Sequence, residues 1–238
     1  MQQKPDLFRF KQFSVDHSRS SLKIGTDAVL LGAWINVGRA QTILDIGTGC
    51  GVIALMLAQR TNENVRIDAV EIEKYDAELA TGNAAASPWK NKIRVFHTRI
   101  QDFTSSIEYD CIVSNPPFFS HSFHPPGRER KQARHTDSLP FKDLIDTAAR
   151  LISSQGRLCI ILPYQEGLKF INQASMSGFY LSRQLIFKSK SEKPAERLLL
   201  ELQQEIQTPE VGELVMFDDK NEWTQAYKTL TKDFYLNL

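Results

Sequence analysis

Two short stretches of this chain carry residues whose types and spacing can do chemistry. One is Asn115-Pro116-Pro117-Phe118, which follows the apolar run Cys111-Ile112-Val113; the other, upstream, is Asp45-Ile46-Gly47-Thr48-Gly49-Cys50-Gly51. Two prolines fix φ and remove two N–H donors, so the first stretch is a rigid lip rich in acceptors. The second is an acidic strand end running into a glycine turn, a pattern that accepts an adenosyl cofactor. A planar nitrogen, on a nucleobase or an amide, delocalises its lone pair and attacks poorly. The Asn115 side-chain oxygen and the Pro116 carbonyl can each accept one of its N–H groups, aiming it and stabilising the positive charge that develops. No side-chain base is required, because the nitrogen becomes acidic as the new bond forms. Phe118 offers a π-face on which a planar target stacks, worth about 1–3 kcal/mol for a nucleobase. A target base in a folded RNA has to be flipped out to reach this lip. Together the motifs point to transfer of a methyl group onto a planar nitrogen. The competing reading of Asn-Pro-Pro-Phe is a rigid turn, since Asn and Pro are turn formers.

Gly47, Gly49 and Gly51 let the chain turn tightly and approach a ligand, with the next helix offering its positive end to a carboxylate or a phosphate. Asp45 would repel a diphosphate and favour a cationic amino or sulfonium group. Glu71, at the end of the second strand, is placed to accept from two ribose hydroxyls. Asp102, in Ile100-Gln101-Asp102-Phe103, is placed to accept from an adenine amino group while Phe103 packs near the ring; it also reads as a helix N-cap. Upstream, Thr26 and Asp27 in Lys23-Ile24-Gly25-Thr26-Asp27-Ala28 read equally as caps of the apolar run that follows and as ligand contacts.

Elements that hold such groups at one edge are visible as short apolar runs alternating with helical patterns, the signature of βαβ units. Strands are expected at 42–46, 66–71, 93–98, 109–114, 157–162, 181–187 and 197–203, and helices at 52–60, 74–86, 141–152 and 166–177. The loop between the last two strands is too short for a crossover, so they should pair antiparallel. The expected fold class is α/β: a seven-stranded, mostly parallel sheet with one antiparallel strand and helices on both faces. Residues 1–238 are expected to form one domain, with 1–41 as an extension able to cover the site and 42–238 as the core.

The 238 residues are 42% apolar and 24% charged, with a net charge of +1. That balance excludes a globally basic nucleic-acid coat, so RNA contact requires local patches. Arg128, Arg130, Lys131, Arg134 and His135 follow the catalytic strand closely enough to grip phosphates beside a flipped base, and Lys188, Lys190, Lys193 and Arg197 form a second cluster near the last turn. Glu129, Glu192 and Glu196 dilute both clusters, so each also reads as a solvated face. Cys50, Cys111 and Cys159 lack metal-ligand spacing, and His121 and His124 lack partners, so no metal is expected. Met1 to Asp6 holds no apolar signal core and no apolar stretch is long enough to span a bilayer, which leads to the expectation of a cytoplasmic protein, monomeric and not membrane-bound.

These motifs resemble those of the class I S-adenosylmethionine-dependent methyltransferases, with Asp45 to Gly51 as the first motif and Asn115 to Phe118 as the fourth. More narrowly, Phe10-Lys11-Gln12-Phe13, the stretch from Lys23 to Trp34, Asn115 to Phe119 and Ala133-Arg134-His135 resemble the bacterial tRNA(Val) adenine N6-methyltransferases. The resemblance implies a Rossmann-like fold, S-adenosylmethionine as cofactor, tRNA as partner and adenine 37 of a valine tRNA as target. Asn-Pro-Pro-aromatic also serves enzymes that methylate an exocyclic guanine nitrogen of ribosomal RNA or a glutamine of release factors. A non-catalytic RNA-binding module on the same fold is the reading from another class.

Overall fold

Strands that are apolar at nearly every position must be covered on both faces, and the computed structural model of the chain, which describes residues 6–18, 20, 23–117 and 139–237, shows how. A hairpin of β1 (Leu7–Arg9) and β2 (Ser14–Asp16) leads to α1 (Thr26–Trp34). The core follows as β3 (Thr42–Ile46), α2 (Val52–Arg60), β4 (Arg66–Glu71), α3 (Lys74–Ala86), β5 (Ile93–His97) and β6 (Tyr109–Ser114). After residue 138 come α4 (Phe141–Leu151), β7 (Ile152–Pro163), α5 (Tyr164–Met176), β8 (Tyr180–Lys190), β9 (Arg197–Gln203), β10 (Glu210–Phe217) and α6 (Gln225–Thr231).

The main sheet is ordered β10-β8-β9-β7-β6-β3-β4-β5. β9 runs antiparallel to both of its neighbours, and the other pairings are parallel. Side chains alternate between two cores. Ile43, Cys111, Val113, Cys159 and Ile161 pack with α1, α2 and α6, and Leu44, Ile46, Ile112, Leu158 and Ile160 pack with α4 and α5. Every residue of α2 from Val52 to Ala58 is buried, because this helix lies between the sheet and α1.

The expected mixed sheet with a single antiparallel strand is present, but it has eight strands and not seven. The added strand, β10, pairs with β8 from Glu210↔Arg183 to Phe217↔Lys190. Only Leu214 of β10 is buried, and Gly212 and two glutamates interrupt its apolar pattern, so an edge strand of this kind leaves little trace in a sequence. The β1–β2 hairpin is too short to read from periodicity. It docks on α3 and on the C-terminal segment: Phe10 stacks on Phe13 at 4.5 Å, Phe13 meets Trp89 edge-on, and the Lys11 amide donates to the Phe234 carbonyl at 2.8 Å. No helix among the described residues is long and apolar enough to cross a membrane.

Where α4 gives way to β7, the chain passes so close to β6 that position 156 has no room for a side chain. A Cβ on Gly156 would lie 2.4 Å from Ile152 Cγ1 and 2.7 Å from the Tyr109 carbonyl oxygen. Gly156→Ala is therefore expected to destabilise the protein by about 1–3 kcal/mol, read as a lower midpoint of denaturation with an unchanged slope.

Candidate active site

Three neighbouring strands end level with one another. Ile46 of β3 pairs with Val70 of β4 on one side and with Ser114 of β6 on the other, so Glu71, Gly47 and Asn115 emerge side by side at the carboxyl edge. This is the place where strand order reverses, since β3 connects onward to β4 while β6 lies on its other flank, and open α/β sheets bind ligands at such a crevice. The Ser114 hydroxyl donates to the Ile46 carbonyl at 2.9 Å and ties the two strand ends together.

All three loop glycines have positive φ: 70° at Gly47, 55° at Gly49 and 86° at Gly51. Gly51 is doubly required, because a Cβ there would also press on Ala80 of α3 at 3.3 Å. Among the described residues nothing comes within 4 Å of where a Cβ on Gly47 or Gly49 would lie, which leaves room for a ligand against the bare backbone. The loop amides are mostly engaged within the chain. Those of Gly47 and Thr48 donate to the Val70 carbonyl, that of Gly49 to Glu71 Oε2 at 2.8 Å, and that of Gly51 to the Thr48 carbonyl. What the loop offers is therefore open space beside two acids more than a nest of free donors.

Asp45 is fully buried, and its Oδ2 accepts from the Thr48 hydroxyl at 2.6 Å. Its Oδ1 has no partner among the described residues. Burial pushes this carboxyl up to about 7, against the opposing Thr48 hydrogen bond. Glu71 is also raised by burial, although its two oxygens accept from the amides of Gly49 and Glu73. Each of those oxygens keeps acceptor capacity for a further hydroxyl.

Asn115 is half-buried, Pro116 is buried and Pro117 is exposed. The Asn115 side-chain oxygen is itself buried and without a partner among the described residues. An unpaired buried acceptor costs about 1–3 kcal/mol, so a ligand N–H reaching this oxygen would be held by it. Phe118 and the basic residues Arg128, Arg130, Lys131 and Arg134 lie outside the described residues.

The remaining expected residues distribute unevenly. Thr26 begins α1, whose N-cap is Gly25 with no side-chain cap, and Asp27 accepts from Arg197 Nε at 2.8 Å instead. The capping reading of Thr26 and Asp27 is thus not what the helix uses. Asp102 is exposed in a turn, with no helix after it to cap, while Phe103 is buried against Phe96 at 5.1 Å. Lys188 is already committed to Glu213 of β10 at 2.8 Å. Lys190 ends β8, and Lys193 sits in the turn to β9, also at the carboxyl edge. That turn lies three strands from β6, roughly 14 Å at strand spacings of about 4.8 Å. Thr48 and Ser114, which hold Asp45 and the two strand ends, were not picked out by sequence reasoning, because an isolated buried hydroxyl has no periodic signal.

The model of the methyltransferase small domain matches residues 9–182. The chain belongs to the methyltransferase small domain family. It is 43% identical over 97% of its length to a tRNA1(Val) (adenine(37)-N6)-methyltransferase of Phocaeicola vulgatus, covering 98% of that protein. The enzyme of the same name from Photorhabdus laumondii is 42% identical, with 97% of this chain and 96% of the relative covered. Among solved structures, a predicted O-methyltransferase from Agrobacterium tumefaciens superposes with a TM-score of 0.63 at 19% identity, covering 90% of this chain and 100% of the other. The ribosomal protein L11 methylase of Lactobacillus delbrueckii gives 0.51 at 16% identity, covering 75% and 78%. A methyltransferase of this family uses S-adenosylmethionine, and the residues present suit it. The buried Asp45 oxygen without a side-chain partner among the described residues can accept from a cationic group, the bare backbone of Gly47 and Gly49 leaves room, and Glu71 retains capacity for hydroxyls.

The raised Asp45 pKa has a sign that can be measured. Its value of about 7 in the folded chain exceeds the ordinary 3.8, so the folded state holds a proton that the unfolded state releases first. This contribution to stability is complete below 3.8 and is lost as pH rises through about 7. Asp45→Asn removes the loss. In thermal unfolding without ligand, the variant is expected to gain on the native chain between about pH 4 and about pH 7. Parallel profiles would show that Asp45 does not carry the titration.

Proposed function

We propose that this chain is an S-adenosylmethionine-dependent methyltransferase that acts on the exocyclic N6 of an adenine in tRNA, with adenine 37 of a valine tRNA as its target. The observation that carries the reading is the buried Asn115 oxygen, without a partner among the described residues, on an Asn-Pro-Pro lip level with the glycine loop. The named activity of relatives matched across almost the whole chain supports the choice of base and RNA. When bound, S-adenosylmethionine supplies an electrophilic methyl group on a sulfonium.

The chain's own residues do the rest. Asp45 accepts from the ammonium of the donor, Glu71 accepts from its ribose hydroxyls, and Thr26, Asp102 and Phe103 border the same edge. Gly47, Gly49 and Gly51 keep the backbone low enough for the donor to lie against it. The Asn115 oxygen and the Pro116 carbonyl each accept one hydrogen of the adenine amino group, which holds the nitrogen lone pair free for attack and stabilises the positive charge it acquires. Pro117 stiffens this lip, and Phe118 supplies the face on which the flipped base stacks. Arg128, Arg130, Lys131 and Arg134 grip the flanking phosphates, with Lys190 and Lys193 as a second contact further along the edge; Lys188 contributes only by leaving Glu213.

Methyl transfer from labelled S-adenosylmethionine to unmodified tRNA, followed by nucleoside analysis, tests the reading. N6-methyladenosine in valine tRNA is the expected product, and an unlabelled tRNA pool would overturn the choice of substrate. In the same assay Asn115→Ala should lower kcat by about 10²–10³ while leaving binding of S-adenosylhomocysteine near the native level. Loss of that binding in a folded variant would remove Asn115 from the assigned role.

Charge removal probes the RNA surface separately. Replacing Arg128, Arg130 and Arg134 by Gln should weaken tRNA binding and reduce the slope of log K against log salt by roughly 2–3. An unchanged slope would place the phosphate contacts elsewhere.

A further inference from the structure

Asn83 is a buried polar residue in a helix otherwise rich in alanine, where Asn has a poorer helix propensity than Ala. Its carboxamide is fully used. Oδ1 accepts from the Asp16 amide at 2.8 Å, and Nδ2 donates to the Asp16 carbonyl and to the Cys50 carbonyl, each at 2.9 Å. The side chain thus pairs with both backbone groups of the last residue of β2, as a neighbouring strand would, and spends its other N–H on the glycine loop.

Cys50 lies between Gly49 and Gly51, two of the left-handed residues that shape the loop. One turn earlier in α3, Ala80 supports Gly51, so the face of α3 that carries Ala80 and Asn83 is the floor of the loop. Packing holds the hairpin as well, since Val15 is fully buried and Phe13 nearly so in the core that also takes in Ala84 of α3. Beside it runs an open groove of about 1160 Å³, lined by Phe13, Ser14 and Asp16 and by Tyr75, Leu79 and Gly82 of α3.

We propose that Asn83 is a positioning residue that joins the N-terminal hairpin to the glycine loop, so that the hairpin helps to set the shape of the cofactor site. The inference rests on the reading of that loop as the cofactor cradle. Movement of Asp16 is passed through one rigid amide to the Cys50 carbonyl, and by linkage a ligand that orders the loop also orders the hairpin. Asn83→Ala removes all three bonds. Asn83→Asp keeps the shape, but as a carboxylate it donates neither to Asp16 nor to Cys50.

Steady-state kinetics and amide hydrogen exchange on the full chain, with S-adenosylhomocysteine as the probe, test the coupling. In the native protein the probe should protect both 47–51 and 7–16. In either variant the KM for S-adenosylmethionine should rise roughly tenfold, as expected for loss of the buried Cys50 hydrogen bond that both variants share, with kcat at saturation little changed. Hairpin exchange in the variants should then no longer respond to the probe. The Asp variant serves where the Ala variant does not fold. A folded variant with native KM and probe-dependent hairpin protection would overturn the proposal, as would a fall in kcat with KM unchanged. If the native chain itself shows no protection at 47–51, the cradle reading fails and the inference fails with it.

Discussion

The parallel ladder of β4, β3 and β6 is covered by helices on both faces, so side chains along it must be apolar or paired within the protein. Groups that need water or a ligand are driven to the strand ends. Because β3 leads on to β4 on one side while β6, on its other side, is reached only after the chain has crossed back, the helices α2 and α4 that follow β3 and β6 lie on opposite faces and leave a crevice at the carboxyl edge. Glu71, Gly47 and Asn115 emerge there together, and the remaining features of the site are arranged around that line.

Two buried acids lie at this edge, and burial shifts both toward their neutral forms. Hydrogen bonds from Thr48 and from the amides of Gly49 and Glu73 oppose that shift, but Asp45 Oδ1 and Asn115 Oδ1 find no partner among the described residues. Protein interiors rarely keep such groups. A cationic ligand and an amino group are the kinds of donor that would complete their hydrogen bonding.

Outside the ladder, polar links brace the carboxyl edge. Arg197 at the start of β9 holds Asp27 at the start of α1, and Asn83 holds both Asp16 and Cys50. The hairpin and the first helix are thus fastened to the edge that carries the site, although both precede the core in sequence. The aromatic contacts among Phe10, Phe13, Trp89 and Phe234 secure the other side of the hairpin.

The α/β class, the bounds of β3, β4, β6, α2 and α3, and the glycine and Asn-Pro-Pro motifs were legible in the sequence because each depends on local rules. Strand apolarity, helical spacing, positive φ at glycine and fixed φ at proline are properties of a few adjacent residues. The edge strand β10 was not legible, since its half-exposed pattern acquires meaning only when β8 lies beside it. Nor was the commitment of Lys188 to Glu213, of Asp27 to Arg197 or of Asn83 to two distant backbone segments. Each of those side chains reads alone as an ordinary surface, capping or helix residue. Sequence by itself determined which chemical groups are present and which strand ends carry them. Tertiary structure decided which of them are already paired and which remain open, because pairing depends on distance between segments far apart in the chain.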